Sequence, residues 1–255
     1  MYRGDDSVET HHVFGVEGAA GYDDDARLMA RRYRRAHQIQ NALVCRVLKS
    51  TCAARPAVVD LGCGTGNDAL EILSRVPGAV YIGIERSVAM LDRARVKLRP
   101  FLGMRAVLLN DDFRELTPLT LTELCEKDLD IVCVMSALAL HHYQMAEKRL
   151  AYERARAVLQ PGGLLVVTDL FANVSNFAND YAMRCELVDV RRARSRRWGA
   201  TPPMSMSTTL SERHYREENR PQVLLEELAV ICSVGFSFQE IIYRHGQLAV
   251  ISAGG

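Results

Sequence analysis

Ala57-Val58-Val59-Asp60-Leu61-Gly62-Cys63-Gly64-Thr65-Gly66-Asn67 is the stretch from which the fold of this chain can be read. Ala57 to Asp60 begin with apolar, β-branched character and end on a carboxylate. Gly62, Gly64 and Gly66 follow at alternate positions, and Asn67-Asp68 can then cap an amphipathic helix carrying Ala69, Leu70, Ile72 and Leu73. The pattern reads as a buried strand, a tight turn and a helix N-terminus. In such a turn glycine lets the backbone come close to a ligand, and the free N–H groups offer it hydrogen bonds.

The spacing separates two cofactor classes. A dinucleotide turn is G-x-G-x-x-G, whereas here G-x-G-x-G follows Asp60-Leu61. The glycines by themselves indicate a nucleoside-type site. With the preceding hydrophobic-Asp-x, the stretch resembles the first motif of the class I S-adenosylmethionine (SAM) dependent methyltransferases. That resemblance implies an α/β, Rossmann-like fold: a seven-stranded, mostly parallel sheet with helices on both faces. It also implies SAM as cofactor, held around Asp60, Gly62, Cys63, Gly64 and Gly66.

Composition sets outer bounds. At 255 residues the chain suits one α/β domain with an appended or inserted lid. Hydrophobic content of 48% and charged content of 25% are ordinary for a soluble globular protein. A net charge of +1 gives no global pull towards nucleic acid or membrane. The 7 cysteines form no C-x-x-C pair, and Met1-Tyr2-Arg3-Gly4 lacks the apolar core of a signal peptide. Reduced thiols and a cytoplasmic location are therefore expected. Ile131 to Leu140 is the longest apolar run and is too short to cross a bilayer.

Taken in order, residues 1 to about 20 read as an arm. From Asp23 to Lys49 a helical pattern carries Leu28, Met29, Tyr33, Ile39, Leu43, Val44, Val47 and Leu48. In the family resembled, such a helix covers the SAM pocket, and Tyr33 falls where a related tyrosine touches the SAM carboxylate. Plain helix packing is the competing role for Tyr33. Residues 1–50 are read as arm and helical cover, and 51–255 as the SAM-binding domain.

Ala79 to Ile84 is a second apolar strand ending on Glu85, placed to accept both hydroxyls of a ribose. Arg86 follows it, and Ser87 is a helix N-cap ahead of Met90 and Leu91. Arg105 to Leu109 is the third strand, ending in Asn110-Asp111-Asp112-Phe113. The resemblance makes Asp112 the reader of the adenine amino group and Phe113 its neighbour at the ring, with Asp111 as the second candidate; a helix-capping Asp pair is the alternative. Asp130 to Val134 is the fourth strand, running into Met135 and His141-His142-Tyr143, a loop that in the family flanks the sulfonium. Gln144 to Leu159 is helical, Gln160-Pro161-Gly162-Gly163 is a turn, and Leu164 to Asp169 is the fifth strand.

Residues 171–220 read as an insertion, placed like a substrate lid before the last helix. Arg184, Arg191, Arg192, Arg194, Arg196 and Arg197 lie there. They can pair with an anionic substrate or RNA phosphates, or form a solvated face or homodimer contact. Pro221 takes an N1-like position, Val223 to Val234 forms the last helix, and a hairpin closes the sheet around His245-Gly246.

The pairs His11-His12 and His141-His142 are adjacent, so their rings diverge on a helix and make a poor metal clamp. No H-E-x-x-H or G-x-S-x-G occurs. A metal-free, cofactor-driven enzyme is the simplest reading. Methyl transfer from a sulfonium is an in-line displacement, which needs a base only if the acceptor must lose a proton. His141, His142, His214 and Asp169 are the titratable candidates for that role. Within the superfamily the tail resembles the tRNA wobble-uridine carboxymethyl-SAM synthase and its small-molecule methyltransferase relatives. The arginine with which that synthase holds the extra carboxylate falls at Val230, which points to plain SAM. The expected activity is methyl transfer to a small-molecule acceptor, plausible in bacterial specialised metabolism. An RNA-modifying enzyme and a non-catalytic SAM-binding subunit are the alternatives.

Overall fold

The computed structural model describes residues 31–117, 129–182, 184, 185, 188 and 220–255. Helix α1 (Arg31–Ser50) leads into strand β1 (Pro56–Leu61), the turn at 62–66 and α2 (Asn67–Arg75). Then come β2 (Val80–Ile84), α3 (Val88–Leu98), β3 (Ala106–Leu109) and a 3-10 turn at Phe113–Glu115. Strand β4 (Asp130–Ala137), a second 3-10 turn at Leu140–His142, α4 (Met145–Val158) and β5 (Leu164–Leu170) follow. The chain closes with α5 (Leu224–Ser233), β6 (Phe238–His245) and β7 (Leu248–Gly254).

The seven strands form one sheet in the order β3-β2-β1-β4-β5-β7-β6. Strands β1 to β5 are mutually parallel; β7 is antiparallel to both β5 and β6. After β1 the chain winds outward to β3 and then returns to place β4 on the other side of β1. That reversal opens a crevice above the carboxyl ends of β1 and β4, where sheets of this kind bind ligands.

Both faces of the sheet are covered because side chains alternate along each strand. Ala57, Val59, Leu61, Leu165 and Val167 pack on one face with Tyr152 and Ala155 of α4 and Ile231 of α5. Val58, Val166 and Val250 pack on the other with Tyr33, Ala36, Val44 and Leu48 of α1. Helix α1 runs across β4, β5 and β7 and also touches α2.

Most of the expected helix ends are in place. Ser87 caps α3 by accepting from the Met90 N–H at 3.2 Å. Gln144 and Glu147 form a capping box on α4. Two ends differ. Gly66, at φ +75°, occupies the N-cap of α2 and no side chain caps it; Asn67 and Asp68 are drawn instead to Lys97 and to α1. Val223 caps α5, so Pro221 precedes the helix rather than opening it. Residues 1–30, most of the 171–220 insertion, and with them His214 and Arg191 to Arg197, lie outside the described residues. Among the described residues no helix is long and apolar enough to cross a membrane.

Candidate functional site

The glycine turn is stitched to the neighbouring strand. The N–H groups of Gly62 and Cys63 both donate to the Ile84 carbonyl, at 2.9 and 3.0 Å. Gly62 has φ +84°, and a Cβ there would lie 2.5 Å from Ala139 Cβ, so the loop after β4 rests directly on the turn. That loop is itself bent. Leu138 is the non-glycine residue with positive φ among the described residues, at +53°, a conformation costing on the order of 1 kcal/mol that clusters at ligand sites. Gly64 also has positive φ, but a Cβ there would meet nothing within 4 Å. Its backbone therefore faces open space at the crevice.

Three carboxylates stand at the carboxyl ends of successive strands. Asp60 is buried at the end of β1 with one oxygen held by the Tyr81 hydroxyl and the other, Oδ1, without a hydrogen-bond partner. Burial pushes its carboxyl up to about 7, although the Tyr81 hydrogen bond pulls the other way. Glu85 accepts from the Gly64 N–H at 3.1 Å and the Ser87 N–H at 2.8 Å. Its loop is fixed by Asn110, whose amide donates to the carbonyls of Glu85 and Arg86 at 3.1 and 2.9 Å. Asp112 caps the first 3-10 turn and takes a two-point contact from Arg114, at 2.9 and 2.6 Å. Burial raises the Asp112 pKa, but Arg114 outweighs it and holds the carboxylate below its ordinary range. Arg86 Nε lies 3.6 Å from Asp112, and the Tyr143 ring packs edge-on against Phe113 at 4.9 Å.

The cover helix is latched to this turn. His37 Nδ1 is 3.1 Å from Asp68, and the Asn41 amide donates to Asp68 and Glu71 at 2.8 and 2.9 Å. Tyr33 lies one turn ahead of His37 and is buried, while Met135 sits fully buried in the layer between the sheet and α1. Cys63, in the turn, is half-buried with its thiol pushed well up by burial, which leaves it unsuited to nucleophilic attack.

Across the crevice, the structure brings together two of the four titratable candidates. His141 Nδ1 is hydrogen-bonded to Asp169 Oδ1, with both side chains buried. Burial opposes the Asp169 charge, yet His141 and Lys148 overcome it and hold the carboxyl below its ordinary value. An ionised carboxylate only accepts, so the proton of neutral His141 belongs on Nδ1 and the lone pair on Nε2. His142 stacks obliquely on His141 at 4.0 Å between centroids and does not share the carboxylate.

Comparison with known proteins then identifies the family. A methyltransferase-domain profile matches residues 58–163. An uncharacterized methyltransferase of Geobacillus thermodenitrificans is 31% identical over 180 residues, covering 70% of this chain and 69% of that protein. The chain belongs to the S-adenosylmethionine-dependent methyltransferase family. The chain spans less of other relatives. It covers 61% of an uncharacterized methyltransferase of Oceanobacillus iheyensis at 29% identity. It covers 44% of the carboxy-S-adenosyl-L-methionine synthase of Nautilia profundicola, at 30% identity over 108 residues and 42% of this chain. A solved O-methyltransferase family protein from Burkholderia thailandensis shares the fold, with TM-score 0.61, 17% identity, and coverage of 97% of this chain and 65% of that one.

The crevice suits SAM, the methyl donor of the family. A free carboxylate oxygen on Asp60 matches a ligand ammonium, Glu85 has lone pairs left for two hydroxyls, and Gly64 offers open backbone beside them. Several contributors gave no signal in the sequence. Tyr81 on Asp60 and Ala139 on Gly62 follow from strand register and loop path. Arg114 and Tyr143 were visible only as neighbours of Asp112 and His142.

Proposed function

We propose that this protein transfers the methyl group of SAM to a protic, small-molecule acceptor, with His141 as the base and Asp169 orienting it. The observation that carries the reading is the buried His141–Asp169 hydrogen bond, set on β5 and on the loop that rests against the glycine turn. When bound, SAM supplies an electrophilic methyl on a sulfonium. His141 Nε2 would take the proton that the acceptor heteroatom gives up on being methylated. Asp169 keeps Nδ1 protonated and stabilises the imidazolium that results.

Asp60, Glu85 and Asp112 hold the cofactor in this scheme: Asp60 its ammonium, Glu85 its ribose, and Asp112 with Phe113 its adenine. Gly62, Cys63, Gly64 and Gly66 form the cradle, Arg86 steadies Asp112, and Tyr33 and Met135 shape the methionine end. Val230 packs half-buried against the core of α5, where the synthase resemblance would need an arginine. That supports SAM itself rather than its carboxylated form.

Calorimetric titration with SAM, its demethylated product and NAD is the first test. Micromolar binding of the first two with no NAD signal supports the reading, and binding of NAD alone overturns it. A methyl-acceptor screen on small phenols, amines, thiols and bulk tRNA then follows. His141→Gln should lower kcat on the identified acceptor by about 10²–10⁴-fold with SAM affinity unchanged; an unaltered kcat removes His141 from the chemistry.

A further inference from the structure

Behind the dyad lies a second set of buried charges that cofactor binding does not use. Lys148 and Glu227 are both fully buried, and Lys148 Nζ donates to Glu227 Oε2 at 2.7 Å. The Tyr152 hydroxyl, also fully buried, donates to Glu227 Oε1. Lys148 and Tyr152 stand one turn apart on α4, and Glu227 faces them from α5. Asp169 projects from β5 on the same side as Val167 and Phe171, which cluster with Tyr152 and Leu224. Asp169 therefore points into the layer that holds the Lys148–Glu227 pair. Its second oxygen, Oδ2, is buried without a hydrogen-bond partner, and the charge of Lys148 favours the ionised form of the Asp169 carboxyl.

We infer that Lys148, Glu227 and Tyr152 are positioning residues that set the proton affinity of the His141–Asp169 dyad, an inference that rests on the dyad's role proposed above. The argument is one of buried charge. With His141 neutral, Asp169, Glu227 and Lys148 leave one uncompensated negative charge in the layer; protonating His141 cancels it. A low-dielectric interior disfavours an uncompensated charge, so removing a member of the cluster changes the charge balance against which the dyad exchanges its proton. The titratable groups around the dyad are His142, stacked on His141 in the loop, Lys148 and Tyr152 on α4, and Glu227 on α5. Each contributes to that balance.

The signs of the single variants differ, which separates this role from simple structural support. Glu227→Gln leaves Lys148 to neutralise Asp169, so protonated His141 then carries the excess charge. His141 becomes less basic, and the acid limb of the kcat–pH profile should move down by about one pH unit, within the range neighbouring charges produce. Lys148→Met removes the competing cation and should move the limb up; a downward shift would overturn the charge argument. The double variant Lys148→Met/Glu227→Gln restores the original balance and should return the limb to its wild-type position. Tyr152→Phe, the mildest change, covers the case in which Glu227→Gln fails to fold, and should displace the limb in the same direction by less.

The proton affinity of His141 can be read without turnover by NMR titration of isotopically labelled histidine in the full-length protein. Parallel shifts in the NMR titration and the kcat profile support both readings. A shifted His141 titration with an unmoved kcat limb keeps the coupling and removes His141 as base. An unmoved titration in Glu227→Gln and Tyr152→Phe overturns the inference, whatever the loss of stability.

Discussion

The two halves of the crevice hold carboxylates in opposite ways. On the β1–β3 side, Glu85 and Asp112 stand at strand ends, partly open, and are held by local donors: Ser87 and Gly64 N–H for Glu85, Arg114 for Asp112. On the β4–β5 side, Asp169 and Glu227 are fully buried and paired with side chains far away in sequence, His141 and Lys148. The first arrangement leaves lone pairs free for a ligand. The second leaves charge whose only outlet is a proton. In the proposed scheme, recognition and proton transfer thus rest on different physics within one sheet.

The sharpest way to break this division is to cross the two halves. Asp169→Asn removes the acceptor that keeps His141 in its working tautomer, and should lower kcat by about 10²–10⁴-fold while SAM affinity stays within about threefold. Glu85→Gln turns an amide donor towards backbone N–H groups, and should weaken SAM by 1.5–3 kcal/mol, roughly 10–100-fold, the value of a hydrogen bond to a charged group. Its kcat at saturating SAM should remain near wild type. Calorimetry and steady-state kinetics on both variants read the split; Asp169→Asn losing SAM affinity as strongly as Glu85→Gln would make the crevice a single unit.

The place where the halves touch is equally testable. Gly62→Ala puts a side chain at φ +84° and 2.5 Å from Ala139 Cβ. The backbone penalty and the overlap together should cost about 2–4 kcal/mol in urea denaturation. Adding Ala139→Gly removes the overlap and keeps the backbone penalty, so about half the loss should return. An equal cost in both backgrounds would mean that the β4 loop does not bear on the turn.

How much of this was legible in the chain follows the same division. Strand β1, the glycine turn and the acid Glu85 are local signals: an apolar run, its end, and the residue types that follow; Asp112 was singled out by the family resemblance. The seven-stranded sheet and its closing hairpin were readable for the same reason. His141 and Asp169 were visible as residues but not as a pair, because 28 positions separate them and only β4–β5 register joins them. Lys148 and Glu227, 79 positions apart, carry no local sign of their pairing, since periodicity says nothing of what an opposite helix carries. The α2 cap was misread because Asp68 is a good cap in isolation, whereas here α1 competes for it through His37 and Asn41.

Asp60 belongs to the recognition half yet is buried like the other, which makes it the place where pH should be felt on binding. Its carboxyl titrates at about 7 in the free protein, and a bound ammonium favours the ionised form. SAM should therefore bind about tenfold more weakly at pH 6 than at pH 8 and release a proton below pH 7. Calorimetry in buffers of different ionisation enthalpy measures that proton. Asp60→Asn should bind weakly at every pH with no proton release; a wild-type protein with no release would detach Asp60 from the ammonium.

The smallest expected effect concerns α1, which touches both halves, and its sign follows from the two partners of the latch. Burial opposes the His37 charge, but Asp68 prevails and raises the folded pKa above 6.5. Its contribution to stability is complete below 6.5 and fades as pH rises through the folded value. For Asp68, burial is likewise outweighed by His37 and Asn41, and its folded pKa falls below 3.8. That contribution is present above 3.8 and fades as pH drops through the folded value. The latch is therefore strongest between about pH 4 and 6.5. His37→Ala should cost about 1 kcal/mol more at pH 5.5 than at pH 9, a modest figure for a partly exposed pair. Urea denaturation at the two pH values measures it, and a pH-independent cost would reduce the His37–Asp68 contact to packing. If the difference is found, α1 is held to the start of α2, just beyond the glycine turn, by charge, and to β4, β5 and β7 by apolar burial. Raising the pH would then loosen the cover over the recognition half first.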